Sequence, residues 1–97
     1  MPDAAAITVQ DAPERHRYEV TVDGDLAGFA VYKDRADGVR VFTHTEVSDA
    51  YEGRGVGSTL ARGALDDVRA SGRQLVARCP FIAAFIRRHA EYGDLVA

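Results

Sequence analysis

Cysteine, lysine and long apolar runs are all scarce in this chain of 97 residues, and each scarcity excludes something. A single cysteine, Cys79, rules out an internal disulfide and fits a reduced, cytoplasmic setting. No apolar run approaches the roughly 20 residues that a membrane helix needs, so no membrane partner is expected. The start, Met1 to Ala6, has neither a basic region nor a long apolar one, and does not read as a signal peptide. Lys33 is the one lysine, so a phosphate loop ending in Gly-Lys-Ser/Thr is absent. The formal net charge of −3 makes the chain a poor partner for nucleic acid. The length allows one domain, residues 1–97 with a core over 7–95, and any active site is expected on that core itself.

Charge is unevenly spread. Asp23, Asp25, Asp34, Asp37, Glu46, Asp49 and Glu52 crowd the stretch before Arg54, while basic residues dominate from Arg54 to Arg88. A mildly basic second half suits a phosphate-bearing small molecule better than a long polyanion.

The hydrophobic pattern gives the element order. Ile7–Gln10 is a short β-rich run. His16 to Val22 alternates, with Tyr18, Val20 and Val22 on one side, as in a half-buried strand. Asp23-Gly24 is a tight-turn signal leading into a strand over Leu26–Lys33. Val39–Val47 is the next strand. Strict alternation predicts Val39, Val41, Thr43, Thr45 and Val47 on one face, and Arg40, Phe42, His44 and Glu46 on the other. The period turns helical from Gly55 to Ser71, with Val56, Leu60, Gly63, Ala64 and Val68 on one stripe and Gly72 as the cap. Arg73–Cys79 is predicted as a strand with Leu75, Ala77 and Cys79 on one face. Pro80 opens a last helix, where its missing N–H costs nothing. Ile82, Phe85, Ile86 and His89 form the inner stripe of that helix, and Gly93 closes it. The order is β-β-β-β-α-β-α: an antiparallel meander, then a strand-helix-strand link that favours a parallel pair. The class is α+β with one mixed sheet.

Gly53-Arg54-Gly55-Val56-Gly57-Ser58, between a strand and a helix, is the informative motif. Each glycine weakens a helix by up to about 1 kcal/mol relative to alanine, so three of them require a reason. One reason is close approach of a phosphate to the unpaired N–H groups of the first helical turn, with Arg54 and the Ser58 hydroxyl as added donors. The other is a flexible loop and a tight helix–sheet contact. The spacing Gly-x-Gly-x-Gly after a meander differs from the dinucleotide fingerprint.

The motif resembles that of the GNAT superfamily of N-acetyltransferases, Gln/Arg-x-x-Gly-x-Gly/Ala, with Glu52-Gly53-Arg54-Gly55-Val56-Gly57 in its slot and Glu52 departing from Gln or Arg. His44-Thr45-Glu46-Val47, Cys79-Pro80-Phe81 and Arg87-Arg88-His89 extend the resemblance to a short, single-domain GNAT subgroup, over Arg17 to Leu95. It implies a minimal GNAT-like sheet and acetyl-CoA (coenzyme A) binding, with the pyrophosphate on the amides of Arg54 to Ser58. It further implies that the pantetheine arm pairs with the strand ending at Glu46 and Val47, and that the thioester lies between that strand and Arg73–Cys79. The cofactor-binding set is then Val47, Glu52, Gly53, Arg54, Gly55, Val56, Gly57 and Ser58; no metal is expected.

Acetylation of an amine needs a base for the ammonium proton and an acid for the leaving thiolate. His44 and Glu46, two apart on a strand and about 7 Å from each other along it, are candidate bases. Cys79, at a helix start, is a candidate nucleophile or a small buried side chain close to the thioester. Larger GNATs often place an acidic tyrosine on the last helix; Ile86 takes that place here, and the role does not pass to Tyr92. The expected activity is acetyl transfer from coenzyme A to a small-molecule or protein amine by a monomer or weak dimer. The alternative is a non-catalytic coenzyme A-binding module. A purely structural interaction domain leaves the glycine run unexplained.

Overall fold

A computed structural model of the chain describes residues 6–51 and 53–97. Its elements are β1 (Ile7–Ala12), β2 (Arg17–Val22), β3 (Asp25–Asp34), β4 (Arg40–Val47), α1 (Val56–Ala70), β5 (Leu75–Ala77) and α2 (Pro80–Arg88). The strands lie in sequence order in one sheet; β1 to β4 pair antiparallel, and β4 and β5 pair parallel. The mixed α+β class and the element order are those the sequence predicts. Asp23 and Gly24 both take positive φ, 51° and 88°, as a two-residue hairpin of matching twist requires. No described helix is long and apolar enough to cross a membrane.

One core forms between the sheet and the two helices. Tyr18, Val20, Val22, Ala30, Tyr32 and Phe42 meet Leu60, Ala64, Leu65 and Val68 of α1 and Ile82 and Phe85 of α2. The opposite face of the sheet carries Arg17, Glu19, Phe29, Val31, Lys33 and Val41, and no described helix covers it.

Strict alternation fails in β4. Tyr32 pairs with Phe42 and Val31 with His44, so Thr43 is an extra residue without a partner on β3. This bulge exchanges the two faces midway. Arg40 and Phe42 point into the core and share their side of the sheet with Thr45 and Val47. His44 and Glu46 point outward with Val41. Three boundaries also differ from the sequence pattern. β1 runs on to Ala12. β5 stops at Ala77, because the amides of Arg78 and Cys79 both donate to the Phe42 carbonyl, at 3.0 and 3.1 Å, and turn the chain out of the sheet. α2 stops at Arg88, not near Gly93. His89 leaves helical geometry (φ −129°, ψ 79°) and stacks its ring on Phe85, with centroids 4.0 Å apart. The following 3-10 turn, Ala90–Leu95, returns Tyr92 and Leu95 to the core.

Arg40 is the one charged side chain that is buried among the described residues, with 5% of its surface exposed. Nε and Nη2 donate to Asp34 at 2.7 and 2.9 Å, and Nη1 donates to the Tyr18 hydroxyl at 2.7 Å. That hydroxyl donates to Asp67 of α1 at 2.6 Å, and the Tyr32 hydroxyl donates to Asp11 of β1 at 2.7 Å. The guanidinium also lies over the Tyr32 ring, 3.8 Å from its centroid. Burial, reinforced by hydrogen bonds to Asp67 and Asp11, pushes the Tyr18 and Tyr32 phenols well above their ordinary range, so both stay protonated donors.

Removing one partner of a buried ionic network leaves the others uncompensated. The carboxylates here are partly solvated, so Arg40→Met is expected to cost about 3 kcal/mol, at the lower end of the measured range. Calorimetry should show a melting temperature lower by on the order of 10–20 °C. Acid sensitivity follows from two other groups. Hydrogen bonds from Arg15, then Arg17, hold the Glu19 carboxyl down at about 2, and the Arg40 hydrogen bond holds Asp34 below its ordinary value. Both pKa values are depressed in the folded chain. The stability they contribute is therefore complete above the ordinary carboxylate range and is lost as pH falls towards 2. Urea midpoints should hold from neutral pH to about 5 and fall below it, with a shallower fall in Glu19→Gln.

Candidate active site

The bulge at Thr43 and the double donation to the Phe42 carbonyl lie at one point, and there the sheet opens. β5 pairs with Arg40, Val41 and Phe42 only. From Thr43 to Val47, β4 has no backbone partner on its β5 side among the described residues. The result is a slot in the plane of the sheet, closed at Phe42 and open towards the turn before α1. An unpaired strand edge of this kind offers N–H and C=O groups to any extended amide chain that enters.

The three candidate catalytic residues flank this slot from opposite sides. His44 Nε2 lies 2.8 Å from Glu46 Oε2 on the outer face, with 57% and 61% of the two side chains exposed. Phe29 stands beside His44, with ring centroids 6.4 Å apart, and Arg17 stacks over Phe29 at 4.3 Å. Cys79 lies on the helix side, 3% exposed, and its Sγ donates to Thr45 Oγ1 at 3.2 Å. The structure thus joins His44 to Glu46 but does not join Cys79 to either. β4 runs between them, because Thr45 and Glu46 point to opposite faces.

The glycine turn sits at the open end of the slot. Gly53 and Gly55 both have positive φ, 79° and 74°, and Gly55 is the residue that caps α1. Gly57 has a different reason: a Cβ there would lie 3.0 Å from Phe81 Cζ and 3.6 Å from Val47 Cγ2. The first hydrogen bond of α1 runs from Thr59 N to Gly55 O at 3.0 Å, so the amides of Gly57 and Ser58 precede it without a carbonyl partner among the described residues. Val47, Tyr51, Gly53, Gly55, Val56, Gly57, Ser58 and Phe81 line one groove at these amides. Arg54 leans over Tyr51 instead, with its guanidinium 5.5 Å from the ring centroid. Glu52 lies outside the described residues.

Three residues of this site carry roles that strand and helix patterns do not reveal. Thr45 holds the Cys79 thiol, Tyr51 lines the groove, and Phe81 fills the space that Gly57 leaves. Phe81 is 40% exposed although apolar, and it follows Cys79-Pro80, so the Cys-Pro-Phe run is the one sequence signal for it. Tyr92 is far from this chemistry: its hydroxyl donates to Asp66 at 2.7 Å and accepts from Arg62 at 3.3 Å.

Comparison with known proteins gives a consistent picture. The family model of GCN5-related N-acetyl-transferase matches residues 17–95. Among solved structures, the crystal structure of ribosomal-protein-alanine N-acetyltransferase from Brucella melitensis biovar Abortus 2308 is similar, with a TM-score of 0.59 at 17% identity over 98% of this chain and 92% of that one. At that identity the likeness is one of fold. No curated protein matches.

The two kinds of glycine should respond differently to substitution. Gly55→Ala forces a left-handed backbone on a residue with a Cβ and should cost about 1 kcal/mol whatever stands at residue 81. Gly57→Ala should be costly beside Phe81 and nearly neutral in Phe81→Ala. A double-mutant cycle by urea denaturation should give a coupling of about 1 kcal/mol for residues 57 and 81 and none for 55 and 81.

Proposed function

The chain belongs to the GCN5-related N-acetyltransferase family, and from that premise we propose that it transfers an acetyl group from acetyl-CoA to an amine. The observation that carries this reading is the slot from Thr43 to Val47, which leads from the unpaired amides of α1 past the Glu46–His44 pair to the closed end at Phe42. The residues present fit the cosubstrate. The amides at Gly57 and Ser58 suit a pyrophosphate, and the free edge of β4 suits the amide-bearing pantetheine arm. Bound acetyl-CoA supplies the activated acyl carbon and a thiol leaving group.

The chain's own residues supply orientation and proton transfer. Glu46 accepts the proton that the attacking ammonium must lose, directly or through water. His44 Nε2, 2.8 Å away, holds that carboxylate in place when it donates its N–H. The floor and walls of the slot align amine and acyl group, so a single direct attack is sufficient. The burial of Cys79 and its hydrogen bond to Thr45 favour this over a route through an acyl-cysteine. A second reading, a coenzyme A-binding module without catalysis, draws on one observation: the Tyr92 hydroxyl is committed to Asp66 and Arg62, and Ile86 has no acidic group to protonate a thiolate.

Acetyl-CoA at about 100 times its dissociation constant should stabilise the fold by about 2.7 kcal/mol, a melting shift on the order of 10 °C for this size. Gly55→Asp should abolish that shift by setting a carboxylate against the phosphates. With a panel of amines and a thiol-detecting reagent, Glu46→Gln should turn over about 100-fold more slowly at unchanged acetyl-CoA affinity, and Cys79→Ala should lose far less. Coenzyme A binding without thiol release for any amine would favour the module. An amine-sensitive acetyl adduct on Cys79, seen by intact-protein mass spectrometry, would overturn direct transfer.

A further inference from the structure

The outer face of the sheet holds a second concavity, away from the glycine turn and adjoining the closed end of the slot. Lys33, Asp34, Arg35, Val41, Thr43 and Arg78 line a groove of about 340 Å3 that crosses β4. One wall is the end of β3, the other is Arg78 just after β5, and Val41 and the bulged Thr43 form the floor. The two acids nearby are already committed. Asp34 pairs with Arg40 and Arg73, and Asp37 pairs with Arg35. Among the described residues, no carboxylate lies within ion-pair distance of Lys33 or Arg78. In a chain of net charge −3, two unneutralised cations therefore flank a hydroxyl-bearing floor. Like charges brought together across a concave surface raise the local potential, and an anion between them relieves it.

We propose that this groove binds an anionic group of the acceptor, a carboxylate or a phosphate, and so selects amines that carry one. The inference rests on the acetyl-transfer reading for the word acceptor, though the groove itself does not. Thr43 on the floor and Glu46 at the proton-transfer site are three residues apart on β4, about 10 Å along the strand. The acceptor's amine and anion are therefore separated by several bonds and do not share one carbon.

Three probes of equal chain length test this: ε-aminocaproate, aminohexyl phosphate and hexylamine. Each is titrated into the full chain, without acetyl-CoA and at matched ionic strength, and followed by amide NMR. The two anionic probes should shift the amides of Lys33, Thr43 and Arg78, and hexylamine should not; the tighter of the two identifies the anion. Lys33→Gln and Arg78→Gln change exposed side chains and should each weaken binding by about tenfold, the loss of one charge-assisted hydrogen bond. Equal shifts with hexylamine, shifts confined to Gly55–Ser58, or binding unchanged in the variant that carries both Lys33→Gln and Arg78→Gln would overturn the proposal. A separate coenzyme A titration reports on the glycine turn, so its failure counts against acetyl transfer and leaves the groove result standing. If both hold, ε-aminocaproate or aminohexyl phosphate should have a lower KM than hexylamine, and Arg78→Gln should remove that advantage with kcat preserved.

Discussion

The Arg40 guanidinium is the point to which the first half of the chain is tied. Through Asp34, Tyr18 and the Tyr32 ring it engages β3 and β2, and through the two tyrosine hydroxyls it connects to Asp11 of β1 and Asp67 of α1. A charge this deeply buried is tolerable only when each of its donors has an acceptor. Meeting that condition brings four strands and a helix into one register. A planar, five-donor fork can do this, whereas a lysine ammonium cannot satisfy both Asp34 and Tyr18 while lying flat on Tyr32. Phe42, two residues on, is thereby set into the core, and everything beyond it in β4 is measured from there.

The stretch of β4 beyond Phe42 shapes the candidate site. With Arg40 and Phe42 held inward, unbroken alternation would carry His44 and Glu46 into the core, where an unpaired carboxylate is costly. The extra residue at Thr43 turns them out to solvent and turns Thr45 and Val47 in. At the same place the Phe42 carbonyl takes two amides from the chain leaving β5, which ends the parallel ladder after three residues. A bulge and a truncated strand are two local irregularities, and together they make a slot within an otherwise continuous sheet. The glycine turn aims unpaired helix amides at the mouth of that slot, and Phe81 closes its flank.

Both described helices lie on one side, and this leaves the opposite face of the sheet uncovered among the described residues. Glu46, His44 and the Lys33–Arg78 groove all open there, whereas Cys79 and Thr45 look into the core. With one helical layer, the fold exposes two kinds of surface along a single strand: the open edge of β4 from Thr43 to Val47 and the uncovered face that carries His44 and Glu46.

Much of this was legible in the residues alone. The Asp23-Gly24 hairpin, the helical stripe from Val56 to Val68, Pro80 at a helix start and the order of strands follow from local rules of period and turn chemistry, which neighbouring residues satisfy among themselves. The glycine run, the pairing of His44 with Glu46 on one face and the Cys-Pro-Phe run were visible for the same reason. Three things were not. The bulge at Thr43 changes no composition; it arises because Arg40 has to face inward to find Asp34 and Tyr18, and those partners lie 6 and 22 residues away in the chain. The early end of β5 depends on a carbonyl in β4, and the early end of α2 on the packing of His89, Tyr92 and Leu95. The sequence by itself therefore determined which segments are strands and helices and which side chains are candidates for the site. Tertiary structure decided which face of β4 each side chain uses and where the sheet opens, because both are set by contacts between residues that no local period connects.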